Sequence, residues 1–269
     1  MWTTRTLWLF FKRDLWEALS YKLNFLFSLF GILFSSATFY FISQLISGQS
    51  EVLSKYGGNY FSFVIIGLAF SGVLNIFQEG LPGIIRSAQL LGTLEALLIT
   101  PTPMAVILLG SSLYPLVYSV LQSLVQIGLA LVIFGLKLGT VNWLGAILLF
   151  GLTILTYMSI GILSASFILV FKLGNPFSWA FGSLSALFGG VFFPVAVLPG
   201  WLRWLSSLLP ITYSLEGLRK SLLLSLPLEA LWPEIKALLI FSFLLGPLSL
   251  FVFRVALKKA KKDGTLTHY

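Results

Sequence analysis

The sequence predicts an all-α integral membrane fold with six transmembrane helices, and three observations predict it. Of 269 residues, 58% are hydrophobic and 10% charged, with a mean hydropathy of +0.97, far more apolar than a soluble domain of ordinary composition. The apolar residues form runs of about 20, the length that crosses ~30 Å of hydrocarbon, and the chain has room for about six of them. The charges gather between the runs and at the two ends, where Lys and Arg meet headgroups. The net charge of +8 therefore points to anionic lipid and not to nucleic acid. Cysteine is absent, which leaves no disulfide framework, thiolate nucleophile or Cys-based metal site.

Residues 1–22 read as an amphipathic interfacial helix and not as a signal peptide, because Arg5, Lys12, Arg13, Asp14, Glu17 and Lys22 interrupt the apolar residues. At 100° per residue Leu7, Trp8, Phe11, Leu15, Ala18 and Leu19 share one arc, and Arg13, Asp14 and Glu17 point away. A transmembrane domain over residues 23–257 follows. Its first span, 23–47, is uncharged and rich in Phe; a polar loop, 48–59, leads to a second span over 60–77. A third, 104–136, contains Pro115 beside Tyr114 and Tyr118, which predicts a kink. The fourth, 143–171, holds Gly151, Ser159, Gly161, Ser164 and Ser166, small residues that permit close packing in lipid. Lys172 and Asn175-Pro176 end it. The fifth begins near Phe177 and runs to Gly189-Gly190; the sixth covers 235–257, before a basic tail at 258–269.

Two stretches do not read as spans. In residues 78–103, QEGLPGIIRSAQLLGTLEALLITPTP, the charges of Glu79, Arg86 and Glu95 are costly in hydrocarbon and place the segment at a membrane surface. Gly92 is a joint and Thr93 a candidate N-cap. Leu94, Leu97 and Leu98 form an apolar stripe, Glu95 and Thr100 lie off it, and Pro101 and Pro103 close the helix. The pattern suits a docking helix, and also a plain amphipathic connector. In residues 194–224, Pro194, Pro199, Trp201, Arg203, Trp204 and Pro210 break any continuous crossing. Two short helices, 201–208 and 212–224, then form a re-entrant hairpin in the outer leaflet, where irregular backbone needs protein or water around it. Glu216 and Arg219, three apart, neutralise each other on one helical face; a role at the exit side is the alternative.

Six spans put both ends on one side, and that side holds eleven of the 17 Lys and Arg, so the termini are expected in the cytoplasm. The chain shows no engine of its own. It lacks H-E-x-x-H, G-x-S-x-G and G-x-x-x-x-G-K, and His268 reads as a solvated tail residue.

GTLEALLITP resembles the loop that permeases of the ABC-2 exporter family present to their ATPase. GGVFFPVAVLPGWLRWLSSLLPITYSLEGLR is similar to that family's pattern of a G-x-x-F-P turn, an L-P-x-W step and a P-x-T-Y…R helix before the last span. The resemblance covers nearly the whole chain. It implies a permease subunit that moves an amphiphilic or lipid-like substrate, joined to two ABC ATPase subunits and to a second permease chain as a homodimer. It also implies no cofactor in this chain, with ATP and Mg on the partner, and a place in the inner membrane of a prokaryote. The residues it assigns to ATPase coupling are Glu79, Arg86, Gly92, Thr93, Leu94, Glu95, Leu98, Thr100 and Pro101. Those at the re-entrant exit side are Gly190, Phe193, Pro194, Pro199, Trp201, Pro210, Tyr213, Glu216 and Arg219. Leu81-Pro82-Gly83 departs from the family, where many members carry a charged helical stretch. The alternatives are a membrane-embedded lipid-modifying enzyme, which needs clustered His, Asp or Glu, and an ion-coupled secondary transporter.

Overall fold

The computed structural model describes residues 2–46, 51–171 and 176–262; Lys172, Asn175 and His268 lie outside them. The described residues form helices joined by turns. α1 (Trp2–Ser20) leads into α2 (Lys22–Leu45), and a short α3 (Glu51–Ser54) into α4 (Tyr60–Asn75), α5 (Leu81–Leu90) and α6 (Leu94–Ile99). Then come α7 (Met104–Val132), α8 (Trp143–Phe171), α9 (Pro176–Phe188), α10 (Gly200–Ser207), α11 (Pro210–Leu222) and α12 (Trp232–Lys262). Among the described residues, five helical stretches are long and apolar enough to cross a membrane: Lys22–Leu45, Tyr60–Leu90, Met104–Val132, Trp143–Phe171 and Leu228–Lys262.

α1 packs on α7, with Phe10 against Gly110 and the Phe11 ring 6.0 Å from that of Tyr114. Its inner face is not the expected arc. Leu7, Phe11, Leu15 and Ala18 are half-buried together with Asp14, whereas Trp8 and Leu19 are exposed. The apolar arc is wider than one helix contact, so one flank meets α7 and the other is left outside, a position suited to headgroup depth.

The second span runs on where a surface segment was expected. Between α4 and α5 the backbone takes one π-helical turn, Ile76–Gly80, and Tyr60–Leu90 is a single helical rod of 31 residues, about 46 Å at 1.5 Å per residue. Pro82 explains the local chemistry. It has no N–H for the carbonyl of Gln78 four residues earlier, and the hydroxyl of Ser178 on α9 donates to that carbonyl instead. Ser178 also bonds Ser164 on α8 at 2.6 Å. We expect Ser178→Ala to cost about 1 to 3 kcal/mol, the penalty for a buried carbonyl left without a donor, read as a lower melting temperature in detergent.

α8 is the centre of the packing. Gly161 lies so close to the π-helical turn that a Cβ there would overlap the Phe77 carbonyl, and Ser159, Ser164 and Ser166 are buried as their size allows. Gly151 is the exception, exposed with nothing near it. α12 runs parallel to α8: Gly145 approaches Leu231, Thr156 bonds Ser242 at 2.8 Å, and Gly246 sits beside Ser159. A chain that leaves one end of α8 and starts a parallel neighbour at the other end must travel back between them. α9 and α11 make that return in series. Ser178 of α9 bonds Ser164, Ser214 of α11 bonds Thr153 at 2.8 Å, and the Ser221 carbonyl accepts from Asn142 N–H at the start of α8. α9 has 13 residues, about 20 Å, too short to cross alone.

Candidate functional site

The α5–α6 corner is built by a single glycine. Gly92 has φ +65°, the left-handed region; its N–H donates to the Gln89 carbonyl at 3.2 Å and the Thr93 N–H to the Ala88 carbonyl at 2.9 Å. This paired closure is a standard ending for a helix, and it favours Gly at that position. Thr93 was expected to cap α6. Its side chain makes no such bond and reaches back to the Ala88 carbonyl at 3.5 Å, because the backbone turn already directs it toward α5.

From this corner α6 returns with Leu94 fully buried in the main apolar cluster and Leu97 packed against it. Glu95, Thr100 and Pro101 are exposed, as the stripe predicted, and the side chain of Leu98 lies outside the described residues. The stripe did not predict the outer surface: Leu90, Leu91 and Ile99, on the same corner as Glu95, are 59%, 76% and 77% exposed. The signal was present in the Leu90-Leu91 pair before Gly92, since a helix ending there must turn one of its two leucines outward. Glu79 and Arg86 line a cleft of about 280 Å³ with Gly83, Ser178 and Trp179, and Glu95 is not among its walls. The structure thus divides the expected coupling residues between two places.

The residues of 194–224 gather near the other end of the rod. Gly190 turns with φ +80°, Pro194 is buried, and Arg203 closes the turn at Val195–Val197 by donating to the Leu198 and Ala196 carbonyls at 2.7 and 2.6 Å. Pro210 begins α11, where a missing N–H costs nothing. Tyr213 donates to the Ser207 carbonyl at 3.0 Å and holds α10 to α11. Phe193 is half-buried, while Pro199 and Trp201 are exposed.

Arg219 does not form the expected ion pair with Glu216. It is buried, donates to the Phe63 and Val191 carbonyls at 3.1 and 3.2 Å, and lies 3.4 Å above the Phe63 ring. Glu216 instead accepts from the Tyr56 hydroxyl at 2.7 Å, with Lys220 at 3.7 Å. Lys220 in turn meets Glu234 of α12 at 2.6 Å. The aromatic ring and the two carbonyls sit where the guanidinium points, so the carboxylate is left to other partners. Burial first, and then the Glu216 hydrogen bond, hold the Tyr56 phenol well above its usual range, which keeps it a donor.

Between these two places a cavity of about 260 Å³ separates α4 from α9. Ser71, Asn75, Gln78 and Ser185 give it polar atoms, and Leu68, Phe192 and Ile211 apolar ones.

Comparison with curated proteins found no match. The family model for the ABC-2 type transporter matches residues 5–223, from α1 through the end of α11. With a match over most of its length and helices fit to cross a membrane, the chain belongs to the ABC-2 type transporter family, as a membrane permease component of an ABC transporter that works with ATPase partners.

Proposed function

We propose that this chain is the permease of an ATP-driven exporter of amphiphilic or lipid-like molecules, with two separate ATPase subunits docked at the α5–α6 corner. The corner carries the reading. Leu90, Leu91 and Ile99 expose apolar surface on the same α5–α6 corner that exposes Glu95, while Leu94 fixes α6 to the core. Apolar surface rimmed by charge is the form of a protein contact, and the rod Tyr60–Leu90 leads from it into the bundle. The chain itself hydrolyses nothing in this reading; ATP and Mg belong to the partner.

The parallel course of α8 and α12 supports counting α9 and α11 together as a fifth crossing, interrupted within the membrane by α10. Six crossings follow, with both termini in the cytoplasm of a prokaryotic cell by the Lys and Arg distribution. The mixed lining of the cavity between α4 and α9 supports an amphiphilic cargo. That cavity opens outward at Gly72 and Asn75, which supports a second identical chain closing the path.

The test is reconstitution with a separately encoded ATPase. Glu95→Ala is expected to insert and remain monodisperse, yet to lose ATP-dependent transport by at least about tenfold, as expected for a central interface residue. Wild-type transport by Glu95→Ala would reduce the corner to a connector. Transport that needs an ion gradient and no ATPase would establish the secondary-transporter alternative instead.

A further inference from the structure

α8 and α12 separate near the Lys-rich end of α12 and leave a groove of about 320 Å³. Leu163, Phe167, Phe171, Val252, Val255 and Lys259 are among its walls. The floor is apolar in spite of Ser166, because that hydroxyl is turned onto the Ile162 carbonyl of its own helix at 2.7 Å. Phe167 and Phe171 stack on each other at 4.5 Å, so neither ring is spent filling the space. Phe171 and Val255 are 56% and 51% exposed, which leaves the groove open sideways to hydrocarbon.

At its mouth the chemistry changes abruptly. Lys259 lines the groove, and Arg254, Lys258, Lys261 and Lys262 stand within two turns of it, with no acid on α12 after Glu234. Among the described residues none of these five cations makes an ion pair. A preference for basic residues at one membrane face accounts for the lysines. It does not account for a greasy slot that ends on one of them.

We propose that this groove holds one anionic glycerophospholipid, with an acyl chain along Leu163, Phe167 and Val255 and the phosphate on Lys259. A water-filled slot would need polar walls, and a zwitterionic headgroup would bring a cation toward the lysines. The site is a lipid berth on the outside of the bundle, separate from the cavity between α4 and α9, and it does not depend on which cargo the transporter moves.

The test uses the full chain, purified in mild detergent and given equal amounts of phosphatidylglycerol and phosphatidylcholine with the same acyl chains, with retained lipid counted by native mass spectrometry. Wild type is expected to keep one phosphatidylglycerol at least about fivefold above phosphatidylcholine, the factor that one cation near a headgroup supplies. Val255→Trp, which fills the groove from its exposed side, and Lys259→Gln, which removes the contact at its mouth, are each expected to abolish that preference. Lys258→Gln, outside the lining, is expected to keep most of it.

If Val255→Trp retains the preference, the cations act as a diffuse surface and the site fails. Equal retention of the two lipids by wild type fails it as well. So does a Val255→Cys variant that crosslinks in a bilayer to a second permease or to an ATPase, since protein then covers the groove. Lys259 is exposed, so the Lys259→Gln result stands even if Val255→Trp does not fold.

Discussion

Arg219→Leu is expected to destabilise the purified chain by about 2 to 4 kcal/mol, measured as a fall in melting temperature in detergent. The substitution leaves the Val191 carbonyl without the donor that reaches it at 3.2 Å, at about 1 to 3 kcal/mol for a buried group unsatisfied, and removes the second bond, at 3.1 Å, to the Phe63 carbonyl that its own helix already engages, at about 1 kcal/mol. It also ends the contact of the guanidinium with the Phe63 ring, about 2 kcal/mol when desolvated. Against these losses stands the cost of burying the charge, which leucine removes, so the net effect is smaller than the sum. Arg219→Lys should fall between the two, since one ammonium cannot span both carbonyls as a planar fork does. Gly67→Ala should act in the same direction, because a Cβ at Gly67 would meet the Arg219 guanidinium at 2.7 Å. A change below about 1 kcal/mol for Arg219→Leu would show that the bundle tolerates this arginine and is not built on it.

Gly161→Val is expected to be worse tolerated, at about 3 kcal/mol or more, the upper range for overpacking. At Gly161 the obstacle is the backbone carbonyl of Phe77, with Leu81 Cδ1 at 2.9 Å beyond it. A side chain could rotate away; a carbonyl within a packed π-helical turn cannot move without moving the rod. Gly151→Val is the matched control on the same helix, since a Cβ there meets nothing within 4 Å. Size-exclusion profiles of the two variants should separate cleanly, monodisperse for Gly151→Val and aggregated or absent for Gly161→Val. A monodisperse Gly161→Val of native stability would refute the close approach of α8 to the π-helical turn.

The comparison within α8 also shows what a sequence can reveal about such a fold. The limits of the helix were legible, because Trp143 and Phe171 bracket a run without charge. Which of its glycines touches another helix was not, because Gly151 and Gly161 look alike until a neighbour is placed beside one of them. α6 was legible for a local reason: Gly92 and Pro101 punctuate it, and Leu94 and Leu97 sit at helical spacing. The continuity of the rod through Glu79 was not, since a charge marks depth and says nothing about whether a helix ends there. Least legible was the node around α11. Tyr56 and Glu216 are 160 residues apart, and Lys220 and Glu234 are 14 apart across two turns. No periodicity announces a pair of that kind.

The shortness of α9 bears on how the chain is made. A nascent chain emerges in order, and a segment of 13 residues is too short to partition into a bilayer as an independent unit. When α9 leaves the ribosome its only companions are the helices already inserted, chiefly α8 through Ser164 and the π-helical turn through Gln78. The other half of the crossing, α11, follows only after the turn and α10, and meets α8 at Thr153. Even then Lys220 waits for Glu234, which arrives with the next helix. The α9–α11 half-crossings are therefore completed only when α8 and α12 are both present to receive them.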